Sequence, residues 1–314
     1  MTILHDSVSL GKSGITIPAI GIGGWSWGDR FFGVTAMDTR KKIFRRQLRP
    51  ASIMGQTFLT RLRYTARDSR KKILGKILRD SSNQAIVATK FFPFPWRFTK
   101  SDLIRALRKS LHRLQRSQVD LYQVHWPFPP RSVETWAEAL GDIIELNLAK
   151  AVGVSNYNEI QMRKAQAVLK QPGHSLASNQ VEFSLINKKV ERSGLLKACR
   201  ELNVSLIAYS PLGMGVLTGK YTPDKPMPGF RGRKFKPAYL QSVQPLRHLL
   251  REIGRDHDGK LSSQVALNWT ICKGALPIPG AKNIRQVQEN IGALGWRLSQ
   301  AEIAALDQAS DLIV

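Results

Sequence analysis

Polar side chains recur at one place in a repeating pattern. Lys90 follows the apolar run IVAT, and His125 follows LYQV. Ser155 and Asn156 follow AVGV, Gln180 lies within ASNQVEFS, and Tyr209 and Ser210 follow SLIA. Taken singly, a lysine reads as a solvated charge and a histidine as a satisfied structural residue. In phase, at the ends of successive apolar runs, they read as one site. In a closed parallel barrel all of them point into the mouth at the C-terminal face, where barrel enzymes keep their chemistry.

The elements that must position these residues follow from periodicity. Strand-like runs occur at Ala85–Ala88, Leu121–Val124, Ala151–Val154, around Val181, at Val204–Ala208 and at Ala275–Ile278. Between them, Leu103, Leu107, Leu111 and Leu114 recur at helical spacing, as do Trp136, Leu140, Ile143 and Ile144, with Ser132 as N-cap of the second set. VSLGKSGITIP reads as a β-hairpin ahead of the apolar run AIGIGG, and a further strand is expected near Phe58. The expected fold is therefore α/β, a (β/α)8 TIM barrel with an N-terminal β-hairpin, formed as a single domain over residues 1–314.

Composition narrows the function classes. No apolar run is long enough to span a bilayer, and the N-terminus lacks a basic and then apolar leader, so a cytoplasmic protein with no membrane partner is expected. Cys199 and Cys272 are far apart with no ligand spacing around them, which argues against a metal site or a disulfide. The net charge is +25, and residues 40–72 carry twelve Lys/Arg against the one acid Asp68. Without an aromatic ladder or a base-reading motif, that charge reads as a solvated basic face, and no specific nucleic acid is expected. RNA or DNA association through residues 40–72 is the competing reading.

The strings VATK, QVHWP, VGVSNYN, SNQVEFS, IAYSPLGMGVLTGKY and IPGAKNIRQVQEN, in this order, resemble the aldo-keto reductases over nearly the whole chain. The resemblance implies NADPH-dependent reduction of an aldehyde or ketone to an alcohol by hydride transfer. A tyrosine donates the proton, a lysine lowers the tyrosine pKa, an aspartate pairs with the lysine and a histidine orients the carbonyl oxygen. Lys90 and His125 match the lysine and histidine. It further implies that Ser155, Asn156 and Gln180 hold the carboxamide and that Tyr209 stacks on the nicotinamide. Ser210, Leu212, Gly219 and Lys220 would line the pyrophosphate. Gly280, Lys282, Gln286, Glu289 and Asn290 would grip the adenosine and its 2′-phosphate, where a lysine and helix-start amides suit an anion. Trp25, Phe91, Trp126 and Phe94 would make an aromatic rim suited to apolar or cyclic carbonyls.

The chain departs from the family where the aspartate and tyrosine belong. A motif of the form FDTAxxYG is expected on the second strand, and GQTFLTRLRYTARDSRKKILG has Thr60 and Thr65 at those places. Tyr64 is one position off, and adjacent side chains in an extended segment face opposite ways. One allowed coding string for Phe58 to Ile73, shifted by a single base, reads FFDTAEVYGSGQSEK. The missing motif thus lies in the neighbouring frame, and residues 45–72 read as the product of two compensating frameshifts, near Arg45 and near Lys72. As written, Arg61 and Arg63 would distort a central strand at a cost of several kcal/mol. Lys90 loses its carboxylate, and His125 is left as the substitute acid. Weak NADPH binding and slow turnover are expected. The alternative is a non-catalytic NADPH-binding barrel acting as a regulatory or redox-sensing partner.

Overall fold

The computed structural model describes residues 6–23, 58–60 and 85–313, so Trp25, Thr65 and most of the basic segment lie outside the described residues. At the start, β1 (Ser7–Ser9) and β2 (Thr16–Pro18) pair antiparallel. The main sheet then takes its strands in chain order. These are β3 (Gly21–Gly23), β4 (Phe58–Thr60), β5 (Ile86–Phe91), β6 (Val119–Val124), β7 (Ala149–Ser155), β8 (Leu176–Glu182), β9 (Ser205–Tyr209) and β10 (Leu276–Pro277). Every neighbouring pair is parallel. The sheet curls until its edges meet. Gly23 forms a parallel bridge with Gly280, and its N–H donates to the carbonyl of Pro279 at 2.9 Å.

Helices follow the strands. They are α1 (Lys100–Leu114), α2 (Val133–Glu145), α3 (Glu159–Lys170), α4 (Lys189–Arg192), α5 (Leu195–Glu201), α6 (Phe230–Lys234), α7 (Pro237–Ser242), α8 (Gln244–Asp256), α9 (Ser262–Cys272), α10 (Ile284–Ile291) and α11 (Gln300–Asp311). The first two form for the reasons their sequences give. Thr99 and Asp102 close a reciprocal capping box on α1, and the four leucines of its stripe are buried against the sheet. Ser132 accepts the Thr135 N–H at the start of α2, whose Trp136, Leu140 and Ile143 are buried. Among the described residues no helix is long and apolar enough to cross a membrane.

Alternation along each strand splits the core in two. Val87, Phe91, Tyr122, Val124, Val152 and Val154 face outward into the layer under the helices, where Phe91 meets Trp136 at 5.0 Å between ring centroids. Ile86, Ala88, Leu121, Ala151, Ile207 and Leu276 face inward and pack with Leu10 and Ile17, both fully buried. The β1–β2 pair therefore covers the end of the sheet where the strands begin. Gly11 fixes that seat, since its φ is +55° and a Cβ would stand 2.6 Å from the Ala177 carbonyl. Its N–H donates to Ser205 Oγ at 2.8 Å.

Inward positions change character along the strands. Above the apolar layer Gln123 Nε2 donates to Ser178 Oγ at 3.1 Å and to the Val154 carbonyl at 3.2 Å. The β7–β8 register shifts between Val152 and Gly153, bringing the strands so close that a Cβ on Gly153 would lie 2.5 Å from Ser178 Oγ and 2.7 Å from the Ser178 carbonyl. Overpacking of this kind costs about 1–3 kcal/mol. Gly153→Ala is accordingly expected to lower the urea unfolding free energy by that amount. An unchanged midpoint would show that the two strands have room to part.

Candidate active site

The next inward layer carries the chemistry. Lys90, at the end of β5, is fully buried, and its Nζ donates to Gln180 Oε1 and, at 3.4 Å, to Ser155 Oγ. Ser155 Oγ donates to the Gln180 carbonyl at 2.7 Å. Asn156 Nδ2 donates to the His125 carbonyl at 3.0 Å and to Ser155 Oγ at 3.1 Å. Tyr209 OH donates to Asn156 Oδ1 at 3.0 Å. Strands β5, β7, β8 and β9 are thus tied together at one end by the side chains of Lys90, Ser155, Asn156, Gln180 and Tyr209, and β6 joins them through the His125 carbonyl. Asn156 and Ser210 adopt left-handed backbone, with φ of 62° and 52°. Non-glycine residues held there at strand ends mark a site whose surroundings over-determine them.

Burial sets the protonation states. It holds the Lys90 amine well below its ordinary value. His125 is lowered to about 3, first by burial and then by the nearby Lys90 charge. Burial, aided by Glu182, pushes the Tyr209 hydroxyl up to about 12. His125 is consequently neutral near pH 7 and Tyr209 is held as a phenol. His125 Nδ1 has no hydrogen-bond partner among the described residues, and the same is true of Gln180 Nε2 and Asn290 Nδ2.

From His125 and Trp126 a groove of about 1450 Å³ runs across the strand ends, past Asn156, Tyr209, Ser210 and Leu212, to the loop that opens α10. Gly280, Lys282, Gln286, Glu289 and Asn290 line that far end, with Lys220 opposite. Gln286 Oε1 accepts the Lys282 N–H at 2.7 Å, and Asn283 caps α10 by accepting the Gln286 N–H at 2.9 Å. Lys282 is lowered, chiefly by burial and then by the Arg231 and Lys220 charges. Three cations crowd one stretch of groove, an arrangement that an anion relieves.

The implied site residues are not all exposed to the groove. Ser155 and Gln180 are fully buried beneath the groove, holding Lys90 and Asn156 from below. Gly219 does not line the groove, and its carbonyl accepts from Arg247 Nη2 at 2.7 Å. Phe91 is not part of the rim. Lys90 points inward, so its neighbour must point outward, and the ring that meets His125 is Phe92, at 5.4 Å. That parity was available in the sequence. Arg231 was not, since it comes from the long segment between β9 and α8, where no periodicity places it. Thr60 ends β4, in register with Ala88, two residues before Lys90 on the neighbouring strand.

The parallel curled sheet and its strand-end groove define a class. The chain belongs to the Aldo/keto reductase family, whose pattern it matches over residues 19–311. Among its relatives, the chloroplastic pyridoxal reductase of Arabidopsis thaliana is 37% identical over 309 residues, covering 94% of this chain and 84% of that protein. An aldo/keto reductase from Klebsiella pneumoniae, solved in complex with NADP and acetate, superposes with a TM-score of 0.74 at 25% identity, covering 96% of this chain and 94% of that one. The glycerol dehydrogenase of Gluconobacter oxydans shares the fold, with a TM-score of 0.83 at 22% identity over 98% of this chain and 96% of that one.

Protonation also couples the site to stability. An unfolded lysine takes up a proton below 10.5 that buried Lys90 resists, so stability rises with pH from the depressed folded value towards 10.5. His125 acts with the same sign between 3 and 6.5. Urea midpoints measured across pH should therefore climb on the alkaline side, and Lys90→Met should flatten that climb. A variant slope equal to the parent's would contradict the assignment.

Proposed function

We propose that this chain is a single-domain (β/α)8 barrel that binds NADPH along the groove and belongs to the carbonyl-reducing class, aldehyde or ketone to alcohol. One observation carries the reading. The same groove joins His125, Asn156 and Tyr209 to the cation-rich loop at Lys282. The donor set fits such a ligand, with crowded Lys220, Arg231 and Lys282 facing phosphates and the unpaired Asn290 amide near the adenosine end. Asn156 and Tyr209 would hold the nicotinamide end, Ser210, Leu212 and Lys220 the pyrophosphate, and Gly280, Lys282, Gln286 and Glu289 the adenosine. When bound, NADPH supplies the two electrons and the hydrogen that turn a carbonyl carbon into an alcohol carbon.

The chain's own residues set the rest. Neutral His125 can offer a hydrogen bond to a carbonyl oxygen, but at about 3 it is no proton reservoir near pH 7. Tyr209 at about 12 is committed to Asn156. By the family resemblance, the carboxylate belongs at the end of β4 and the proton donor in the segment that follows it. We read residues 45–72 as frame-shifted, the native frame placing Asp at position 60 and Tyr at position 65. Support comes from β4 itself. Position 60 closes a strand beside the one that carries Lys90, the phase shared by the other mouth residues. In the frame as written, neither His125 nor Tyr209 is an acid suited to neutral pH, which favours the non-catalytic NADPH-binding partner as the second reading. The proposed compartment is the cytoplasm, consistent with two free thiols, of which Cys199 is buried and pushed up to about 12.

Fluorescence titration tests the binding half. A hydrogen bond to a charged group contributes about 1.5–3 kcal/mol, so Lys282→Ala should weaken NADPH by about tenfold or more while leaving NADH within about twofold. Equal losses for both cofactors, or no NADPH binding by the parent chain, would overturn the reading.

A further inference from the structure

A second group of cations lines the same cavity on a different wall. His248, Arg251 and Arg255 come from α8, where spacings of three and four residues put them on one face, opposite the buried Leu246, Leu250 and Ile253. Lys260 joins them through the turn that follows the helix. Asp258 and Gly259 take left-handed backbone there, with φ of 53° and 72°. The chain folds back so closely that a Cβ on Gly254 would stand 2.1 Å from the Lys260 carbonyl, an approach only glycine permits. Trp296 helps to hold the lysine, whose Nζ lies 6.0 Å from the ring centroid.

The charge on this wall is only partly compensated. Glu252 serves two of the four, His248 at 3.4 Å and Arg255 at 3.6 Å. Arg251 and Lys260 have no carboxylate partner among the described residues. Arg247, one turn before Arg251, is lowered first by burial and then by the Arg251 charge, a repulsion that a nearby anion would relieve. Helix α9 also begins at this wall. Leu261 at its N-cap has no side-chain oxygen, so the first amides of the helix, at Ser262 and Ser263 beside the cavity, meet no side-chain acceptor there. The cluster at Lys282 is a separate one, since Lys282 is lowered by burial, Arg231 and Lys220 and by none of these four.

We infer that His248, Arg251, Arg255 and Lys260 form a second anion site, which takes a small molecule bearing two phosphate groups or a diphosphate. The inference goes beyond the cofactor reading and does not rest on it. From position 248 to 255 the helix advances about 10 Å, a span that one phosphate cannot cover and two can. Arginine offers a fixed fork of donors to phosphate oxygens, and lysine adds a point charge. A chain of net charge +25 attracts anions over its whole surface. Four cations and an uncapped helix start gathered in one cavity give this wall a fixed geometry that diffuse attraction lacks.

Calorimetric titration of the full chain with inorganic diphosphate, at constant ionic strength, tests the site. Saturable binding is expected, weakened about tenfold by Arg251→Ala combined with Lys260→Ala, as two exposed charge contacts together supply. Arg108→Ala combined with Lys109→Ala removes the same charge from the exposed face of α1. That control, and Lys282→Ala, should each leave the affinity within about twofold, because salt screens distant charges. If the first double variant does not fold, His248→Gln combined with Arg255→Ala, on the same face of α8, should weaken binding in its place. Equal losses in the test and control variants, a loss confined to Lys282→Ala, or no saturable binding by the parent overturns the inference. The NADPH titration is read separately, so the cofactor reading and the second site fail independently.

Discussion

A sheet curled until Gly23 meets Gly280 leaves its inward-facing side chains with one solvated end. The other end is covered by Leu10, Ile17 and the β1–β2 pair. Polar groups on inward positions must therefore bond to one another or reach the open end, because an unpaired buried polar group costs about 1–3 kcal/mol. The interior follows this as a gradient, with Gln123 Oε1 and Gln180 Nε2 left unpartnered among the described residues. It is apolar at Ile86 and Leu121, amide and hydroxyl at Gln123 and Ser178, and amine, imidazole and phenol at Lys90, His125 and Tyr209. Each step of two residues along a strand moves one layer towards solvent, and the last layer is the site.

The same periodicity explains what the sequence reveals. Strand and helix cores are legible because Leu103, Leu107, Leu111 and Leu114 fit only a helical face and because polar residues close successive apolar runs. The site's chain order is legible for that reason too. Contacts between strands are not. That Lys90 bonds to Gln180, ninety positions later, depends on β5 and β8 facing each other across the interior. Gln180 and Ser155 are fully buried at that end of the strands. Phe91 shows a different kind of miss, where an aromatic beside a site residue was assigned to the rim although strand parity sends it under Trp136. Arg231 lies in a long connection without periodicity, where only the fold brings it to Lys282.

Conserving protonation states at low dielectric makes the site depend on what surrounds Lys90. An amine buried with amide and hydroxyl acceptors is held well below its ordinary value, and a carboxylate partner would restore its charge. A charged lysine is what lowers a neighbouring tyrosine in the family's proton-donor arrangement. Thr60, at the end of β4, is in register with Ala88 on the strand that carries Lys90.

The most direct measurement follows NADPH oxidation with a test aldehyde for two proteins, the chain as written and the same chain with FFDTAEVYGSGQSEK in place of residues 58–72. General acid catalysis is worth about 10²–10⁴-fold in rate. The account predicts that the restored protein turns over faster by that factor while both bind NADPH. Equal rates, with the chain as written already turning over robustly, would contradict it.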